Sequence, residues 1–342
     1  EAGVNHGGDL AQAKRLVDAA RAAGADAVKF QAFKAARLIL PGVEKAPYQK
    51  ENSGATESQY DMLKRLEMPV AAQGKLQAYC ARRGMIYLTT PFDEGSLDEL
   101  DALDLPAYKI ASTDLSNLPF LASVAQRRKP VLLSTGMSFL PEVELALEVI
   151  AKHTADVVLL QCTTNYPAVD EEANLAVLET FRRTFGVLVG YSDHTENTGA
   201  APFAVPLGAC VIEKHLTLDR SLPGPDHRAS LEPEGFAELV RMVRRAEMFL
   251  GSPQKIPTLA ESVTRQSLQK YIVAARRIKA GDLFARTNLT TMRTGGTGIS
   301  AIYYSRLLGR KAARNYEAGA VVRDAPREWE LKEPECLRKE GM

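Results

Sequence analysis

The chain has 342 residues, 45% of them hydrophobic and 25% charged, with a formal net charge of +1. That balance is globular; it offers no clustered Lys and Arg to neutralise a phosphate backbone, and no run of about 18 apolar residues to cross a bilayer, so neither nucleic acid nor membrane is an expected partner. Four cysteines, Cys80, Cys162, Cys210 and Cys336, form no Cys-x-x-Cys pair and fit a reduced, cytoplasmic protein.

Glu1-Ala2-Gly3-Val4-Asn5-His6-Gly7-Gly8 reads as a strand end and a glycine-bearing loop. Asp9 then caps a helix whose Leu10, Ala13, Leu16, Val17 and Ala20 recur at helical spacing. Gly24 ends that helix, and residues 25–31 form the next strand. After an excursion over residues 32–69, the alternation resumes with a helix near 71–83 and a strand at 85–91. A helix near 94–103 precedes a strand at 107–112, and a helix near 118–127 precedes a strand at 130–136. Further strands lie at 157–161, at 186–191 and in the run ending at His215, and the last helix extends from Pro233 to Leu250. Eight βα units in about 250 residues predict a (β/α)8 TIM barrel over residues 1–251 rather than an open doubly wound sheet. No Gly-x-Gly-x-x-Gly follows the first strand, which weakens a dinucleotide reading further.

The strand ends carry the polar chemistry: Glu1 with Asn5, Lys29 with Gln31, Thr90, Lys109 with Ser112, Ser134, Asn165 with Tyr166, Ser192 with His194, and Glu213 with His215. Barrel enzymes build their sites at that face, so these residues converge on one pocket. A lysine inside a strand end is costly to bury without an anion. Lys29 and Lys109, with Thr90, Ser112, Ser134 and Ser192 around them, therefore predict an anionic, phosphate- or carboxylate-bearing substrate. His194 and His215, 21 residues apart, form a two-imidazole metal site if their strands are neighbours, and ordinary hydrogen-bonded rim histidines otherwise. His153, at a helix C-terminus, suits the helix dipole, whereas His6 and His227 lie in loops at the site face and stand open as substrate contacts.

From Gly251 the character changes. Residues 252–269 read as a linker and polar approach, 270–330 as a small domain of short strands and turns, and 331–342 as a charged tail. So small a domain buries no large core alone and is expected to lean on a barrel, its own or a partner's.

Ordered blocks through almost the whole chain resemble the sialic acid (nonulosonic acid) synthase family. They are Glu1-Ala2-Gly3-Val4-Asn5-His6-Gly7-Gly8, Val28-Lys29-Phe30-Gln31, Thr90-Pro91-Phe92, Tyr108-Lys109-Ile110, Ser134-Thr135-Gly136-Met137, Ser192-Asp193-His194-Thr195, Glu213-Lys214-His215 and Pro223-Gly224-Pro225-Asp226. Ile278-Lys279-Ala280-Gly281 and Leu307-Leu308-Gly309-Arg310-Lys311-Ala312 resemble the family's antifreeze-like (SAF) domain. The resemblance implies condensation of phosphoenolpyruvate with an N-acylated mannosamine-type sugar and water, giving a nine-carbon 2-keto acid and phosphate. It also implies a divalent metal, Mn²⁺ or Mg²⁺, and a domain-swapped homodimer.

By position, the resemblance gives the metal to His194 and His215, water positioning to Glu1, and the phosphate and carboxylate to Lys29, Lys109, Thr90, Ser112, Ser134 and Ser192. Gln31, Tyr166 and Asp226 face the sugar hydroxyls, and Arg293 reaches the N-acyl group from a partner's small domain. Glu213 is a further candidate catalytic carboxylate, whose plainer reading is that it orients Lys214 or a metal-bound water. Three departures stand out. Asp114, a catalytic candidate in Ala111-Ser112-Thr113-Asp114, is one methylene shorter than the family's sugar-facing glutamate; Thr164 stands where a phosphate-contacting Asn or Ser is common; and Thr294 follows Arg293 in place of proline.

The excursion, with Pro47-Tyr48-Gln49-Lys50 and the run from Glu57 to Glu67, resembles the legionaminic acid synthases, which take a 6-deoxy-2,4-diacetamido sugar. Acceptors of N-acetylneuraminate and legionaminate type both stay open at this point. Two other classes are a metal-dependent pyruvyl aldolase on the same barrel, which releases no phosphate, and a non-catalytic carbohydrate-binding scaffold, in which replacing Glu1 or His215 leaves binding unchanged.

Overall fold

The computed structural model describes residues 1–53, 56–324 and 329. The chain divides into two compact units, Glu1–Gly251 and Ser252–Met342.

In the first unit seven parallel strands alternate with helices: β1 (Ala27–Ala32), β2 (Ile86–Pro91), β3 (Tyr108–Ile110), β4 (Val131–Ser134), β5 (Val157–Cys162), β6 (Leu188–Asp193) and β7 (Ala209–Lys214). β1 pairs with β2, β3 to β7 form one continuous ladder, and β3 packs beside β2. Residues 1–3 supply the eighth strand. Ala2 and Gly3 donate their N–H groups to the Lys29 carbonyl at 2.9 and 3.2 Å, and Leu216 N–H donates to the Glu1 carbonyl at 2.7 Å. The segment thereby joins the β1 side to the β7 side and closes the ring, so the molecule has the (β/α)8 architecture that the alternation predicts.

The helices bury one face against this ring. Leu10–Ala22 starts where Asp9 accepts from Ala11 N–H, and it buries Ala13, Leu16, Val17 and Ala20, the stripe set by its spacing. Phe30, Ile110, Leu133, Leu159 and Tyr191 from the strands join Leu16, Leu76, Leu97, Leu121 and Leu178 from the helices in one buried cluster. Between β6 and β7 the helix shrinks to Ala201–Ala204 and the 3₁₀ turn Val205–Leu207, because Pro206 lacks the N–H that would carry the α-helix on, whereas Pro202 sits in the first turn and costs no hydrogen bond.

The excursion folds into three short helices, Ala35–Leu38, Pro47–Ser53 and Gln59–Leu66, the last capped by Ser58. Met62 and Leu66 from it pack with Val4 and Phe33 in a separate apolar cluster above the ends of the first strands.

The second unit pairs β8 (Lys270–Ala274) antiparallel with β9 (Leu289–Arg293). The stretch read as a linker holds a helix, Leu259–Leu268, started by a Thr258/Glu261 capping box. Ile272, Ile278, Phe284, Leu289, Leu307 and Tyr316 belong to this unit's own small core. Of the expected small domain, residues 325–328 and 330 lie outside the described residues, as does the expected charged tail at 331–342. No described helix is long and apolar enough to cross a membrane.

Candidate active site

A cavity of about 320 Å³ opens at the carboxyl ends of the strands. Glu1 comes from the first segment, Lys29 and Gln31 from β1, Thr90 from β2, Lys109 from β3 and Ser134 from β4. Ser112, Thr164, Tyr166 and Asp226 enter from loops; Ser192 and His194 lie at the end of β6, and Glu213 and His215 at the end of β7. Strand alternation explains the selection, since residues two apart face the same side: Lys29 and Gln31, Ser192 and His194, Glu213 and His215.

Two ammoniums dominate the inner end. Lys29 and Lys109 are only 7% and 3% exposed, and each lies 3.6 Å from a different oxygen of Glu213. Lys29 also pairs with Glu1 and donates to Thr90 Oγ1 at 3.2 Å. Burial lowers the Lys29 ammonium to about 7, against the pull of Glu213 in the other direction. Burial also pushes Glu213 upward, but Lys109, Lys29 and a 2.8 Å hydrogen bond from Ser192 Oγ hold it well below the usual carboxylate range.

Beside the ammoniums are hydroxyls in need of partners. Ser134 Oγ and Thr164 Oγ1 are buried without a hydrogen bond, a costly state that an incoming oxyanion relieves. Gly136 donates its N–H to Ser112 Oγ at 2.9 Å. A side chain at Gly136 would collide with Thr164 Oγ1 and Ser112 Oγ, so glycine keeps this cradle open. Gly3 does the same beside the carboxylate: at φ +50°, its Cβ would lie 3.0 Å from Glu1 Oε1.

The outer end carries the imidazoles. Their ring centroids are 5.5 Å apart, and Tyr166 lies tilted at 4.1 Å from His194 and meets His215 edge-on at 5.8 Å. His194 Nδ1 is 2.8 Å from the Thr163 carbonyl, an acceptor only, so in the neutral ring Nδ1 carries the hydrogen and Nε2 keeps its lone pair. His215 Nδ1 is buried with no partner, and burial, followed by His194, lowers its basicity far below the ordinary histidine value. Burial lowers the basicity of His194, but the Cys162 thiol and the Thr163 carbonyl raise it above the ordinary histidine value; once that proton is lost, His194 Nε2 and the partnerless His215 Nδ1 fit a divalent cation. Among the described residues no cluster of three or more His, Cys, Asp or Glu completes a cage, so such a cation keeps most of its positions for water and substrate. Asp226 completes the rim, its carboxyl raised by burial to about 6.

Other expected residues lie elsewhere. Asp114 does not line the cavity; it is held in the 3₁₀ turn Ser112–Asp114, accepting from Asn117 Nδ2 at 3.2 Å. Arg293 is an exposed residue at the end of β9 in the second unit. His6 and His227 are spent locally: His6 Nδ1 accepts from Gly8 N–H at 2.9 Å, His227 Nδ1 lies 2.7 Å from Thr217 Oγ1, and neither lines the cavity. The wall missed from sequence is apolar. Phe33, Leu38, Met62, Leu66 and Phe92 line one side, with Tyr48 4.9 Å from Tyr166. The only signal for it was the excursion's length, since helical insertions over a barrel mouth commonly serve the site.

A strand-end cavity of this charge belongs to the (β/α)8-barrel enzymes that handle small anionic substrates, and that is the class this fold and cavity define. Residues 16–255 match the NeuB family and residues 269–325 the SAF domain; the chain belongs to the NeuB family. It is 42% identical over 327 residues to the N,N'-diacetyllegionaminic acid synthase of Campylobacter jejuni, covering 95% of this chain and 98% of that one. The enzyme of that name from Legionella pneumophila is also 42% identical, with 94% and 92% covered. The crystal structure of the spore coat polysaccharide biosynthesis protein spsE from Bacillus subtilis superposes with a TM-score of 0.63 at 34% identity, over 97% of this chain and 94% of that one.

Proposed function

We propose that this enzyme condenses phosphoenolpyruvate with an N-acylated amino sugar and water, giving a nine-carbon 2-keto sugar acid and phosphate. The observation that carries this reading is the pairing of two buried ammoniums, Lys29 and Lys109, with the partnerless hydroxyls of Ser134 and Thr164. Together they make a site for a small, doubly anionic donor. A divalent cation on His194 and His215, when bound, supplies Lewis-acid polarisation of the acceptor aldehyde.

The chain's own groups account for the rest. The lysines and hydroxyls hold the donor's phosphate and carboxylate, so that its C3 faces the acceptor carbonyl carbon as the new C–C bond forms. The positive charge that develops at C2 lies beside the Glu1 and Glu213 carboxylates, which stabilise it. Glu1 orients a water for attack at C2 and accepts its proton. The C2–O bond to phosphorus then breaks, phosphate leaves, and the hydroxyl at C2 gives up its proton to become the 2-keto group, while the acceptor's carbonyl oxygen, left as an alkoxide by C–C bond formation, takes up a proton and ends as a hydroxyl.

For the acceptor we favour the legionaminate type. The apolar side formed by Phe33, Met62, Leu66 and Phe92 suits the methyl groups of a diacetamido sugar and opposes a charged substituent. Both relatives with 42% identity carry the diacetyllegionaminic name. A panel of 2-acetamido and 2,4-diacetamido sugars, assayed for phosphate release from phosphoenolpyruvate, tests this. The diacetamido sugar should give the highest kcat/KM; phosphate release with no sugar, or with none of the panel, would sink the reading.

The cytoplasm is the setting we propose, with a homodimer in which Arg293 serves the partner's site. Hybrids of an Arg293→Ala chain and a His215→Ala chain should then regain activity, and verified heterodimers without activity would contradict the exchange.

A further inference from the structure

We propose that the buried Asp193–Lys214 ion pair is a positioning device that holds the His194 and His215 imidazoles at their mutual spacing. The inference rests on the cation-holding role proposed for those two histidines.

β6 and β7 are paired in register at Tyr191↔Ile212, Ser192↔Glu213 and Asp193↔Lys214, and upstream of Tyr191 the register is irregular. Each histidine is the first residue beyond this short ladder, and there the strands part. The His194 carbonyl accepts from Ala168 N–H and the His215 carbonyl from Leu231 N–H, both at 2.9 Å. No backbone hydrogen bond among the described residues links the His194 segment to the His215 segment past the ladder. The two imidazoles therefore stand on diverging chain ends.

Two side-chain ties cross the last register positions, on opposite faces of the sheet. On the cavity face, Ser192 Oγ donates to Glu213 Oε1 at 2.8 Å. One residue further along, the tie faces away from the cavity. Lys214 Nζ lies 3.1 Å from Asp193 Oδ2 and donates to the Thr195 carbonyl at 2.5 Å. The ammonium thus holds the residue before His194 and the residue after it, while its own backbone leads directly into His215. Asp193 is fixed in turn by Thr195 N–H at 2.9 Å, Thr195 Oγ1 at 2.6 Å and Ala201 N–H at 3.2 Å.

The side chains of the pair are 1% and 0% exposed. Apolar residues of similar volume seal a strand interface at no cost in desolvation. What they lack is directional hold at the last rung of the ladder, where the strands part, and that is what this pair supplies to the imidazoles. Partners outside the immediate ligands of a metal commonly contribute about 10–100-fold to its affinity.

The test uses the full chain and Mn²⁺ alone, with free Mn²⁺ read by electron paramagnetic resonance. Lys214→Met, and the double variant Asp193→Asn/Lys214→Met that leaves no lone buried carboxylate, are compared with the unaltered protein and with His215→Ala. Circular dichroism verifies folding. Both variants should weaken Mn²⁺ binding about 10–100-fold, while KM for phosphoenolpyruvate stays unmoved because Lys29 and Lys109 are untouched. A folded double variant with unaltered Mn²⁺ affinity overturns the positioning role and leaves the cation site standing. An unaltered protein that binds no Mn²⁺, or a His215→Ala variant that binds it equally well, overturns the cation site and this inference with it. Should Lys214→Met fail to fold, the double variant decides.

Discussion

On one side of the cavity, each barrel strand presents one or two polar side chains from a hydrogen-bonded ladder, and Lys29, Lys109 and Glu213 interlock at 3.6 Å. On the other side, residues 33–66 present Phe33, Leu38, Met62 and Leu66 from a loop and short helices that pack against one another. The first wall is set by strand geometry, which tolerates little displacement and suits chemistry common to a whole family. The second is set by the packing of an insertion, which can be reshaped without moving a catalytic group. Donor grip and acceptor choice thus reside in different structures, and the two can be broken separately.

The largest effect is expected on the strand-end wall. Lys109→Met removes a buried ammonium and should raise KM for phosphoenolpyruvate by about 10–100-fold, the range for a charged hydrogen-bond partner. Steady-state kinetics would show it, and an unchanged donor KM would remove Lys109 from the anion site.

A smaller effect follows from pH. Burial brings the Lys29 ammonium down to about 7, so its charged fraction falls as pH rises through that value. The donor is an anion and needs the charged form. Its KM should therefore climb between about pH 7 and 9, approaching tenfold per unit at the upper end, the limit for one proton. A donor KM flat across that range would show that Lys29 stays charged or does not touch the donor.

The smallest effect is expected on the apolar wall. Met62→Leu conserves volume and should cost under about 1.5 kcal/mol of stability. It should shift KM for the acceptor by a few-fold while the donor KM stays constant. If both constants moved together, the two walls would not be independent.

What could be read from sequence follows the same division. Lys29, Lys109, Glu213 and His215 were legible because each sits at the end of an apolar run, and a strand's period of two assigns its side chains to a face; Glu1 was legible through the block Glu1-Ala2-Gly3-Val4-Asn5-His6-Gly7-Gly8 that resembles the family's. The eightfold repeat then brings those ends together. Asp114 was placed at the site by its match to a family glutamate, but it accepts from Asn117 Nδ2 and does not line the cavity, whereas Ser112 of the same 3₁₀ turn does; no periodicity tells which residue of so short a turn faces the site. His6 and His227 were left open for a related reason: whether a loop histidine meets Gly8 N–H or a ligand depends on local geometry alone. The apolar wall escaped because nothing in sequence ties Phe33 to Met62 across the excursion. The helix at Leu259–Leu268 carried a readable sign, Thr258 with Glu261 three residues later, overlooked in a polar stretch.

The central claim is that water captures C2 of the donor and that the C2–O bond, not the P–O bond, breaks. Phosphoenolpyruvate labelled with oxygen-18 in the bridge between C2 and phosphorus tests it directly, with the released phosphate weighed by mass spectrometry. The account predicts that the label departs with the phosphate. Unlabelled phosphate would mean cleavage at phosphorus, and neither water capture at C2 by Glu1 nor the lysines' hold on a departing phosphate would stand.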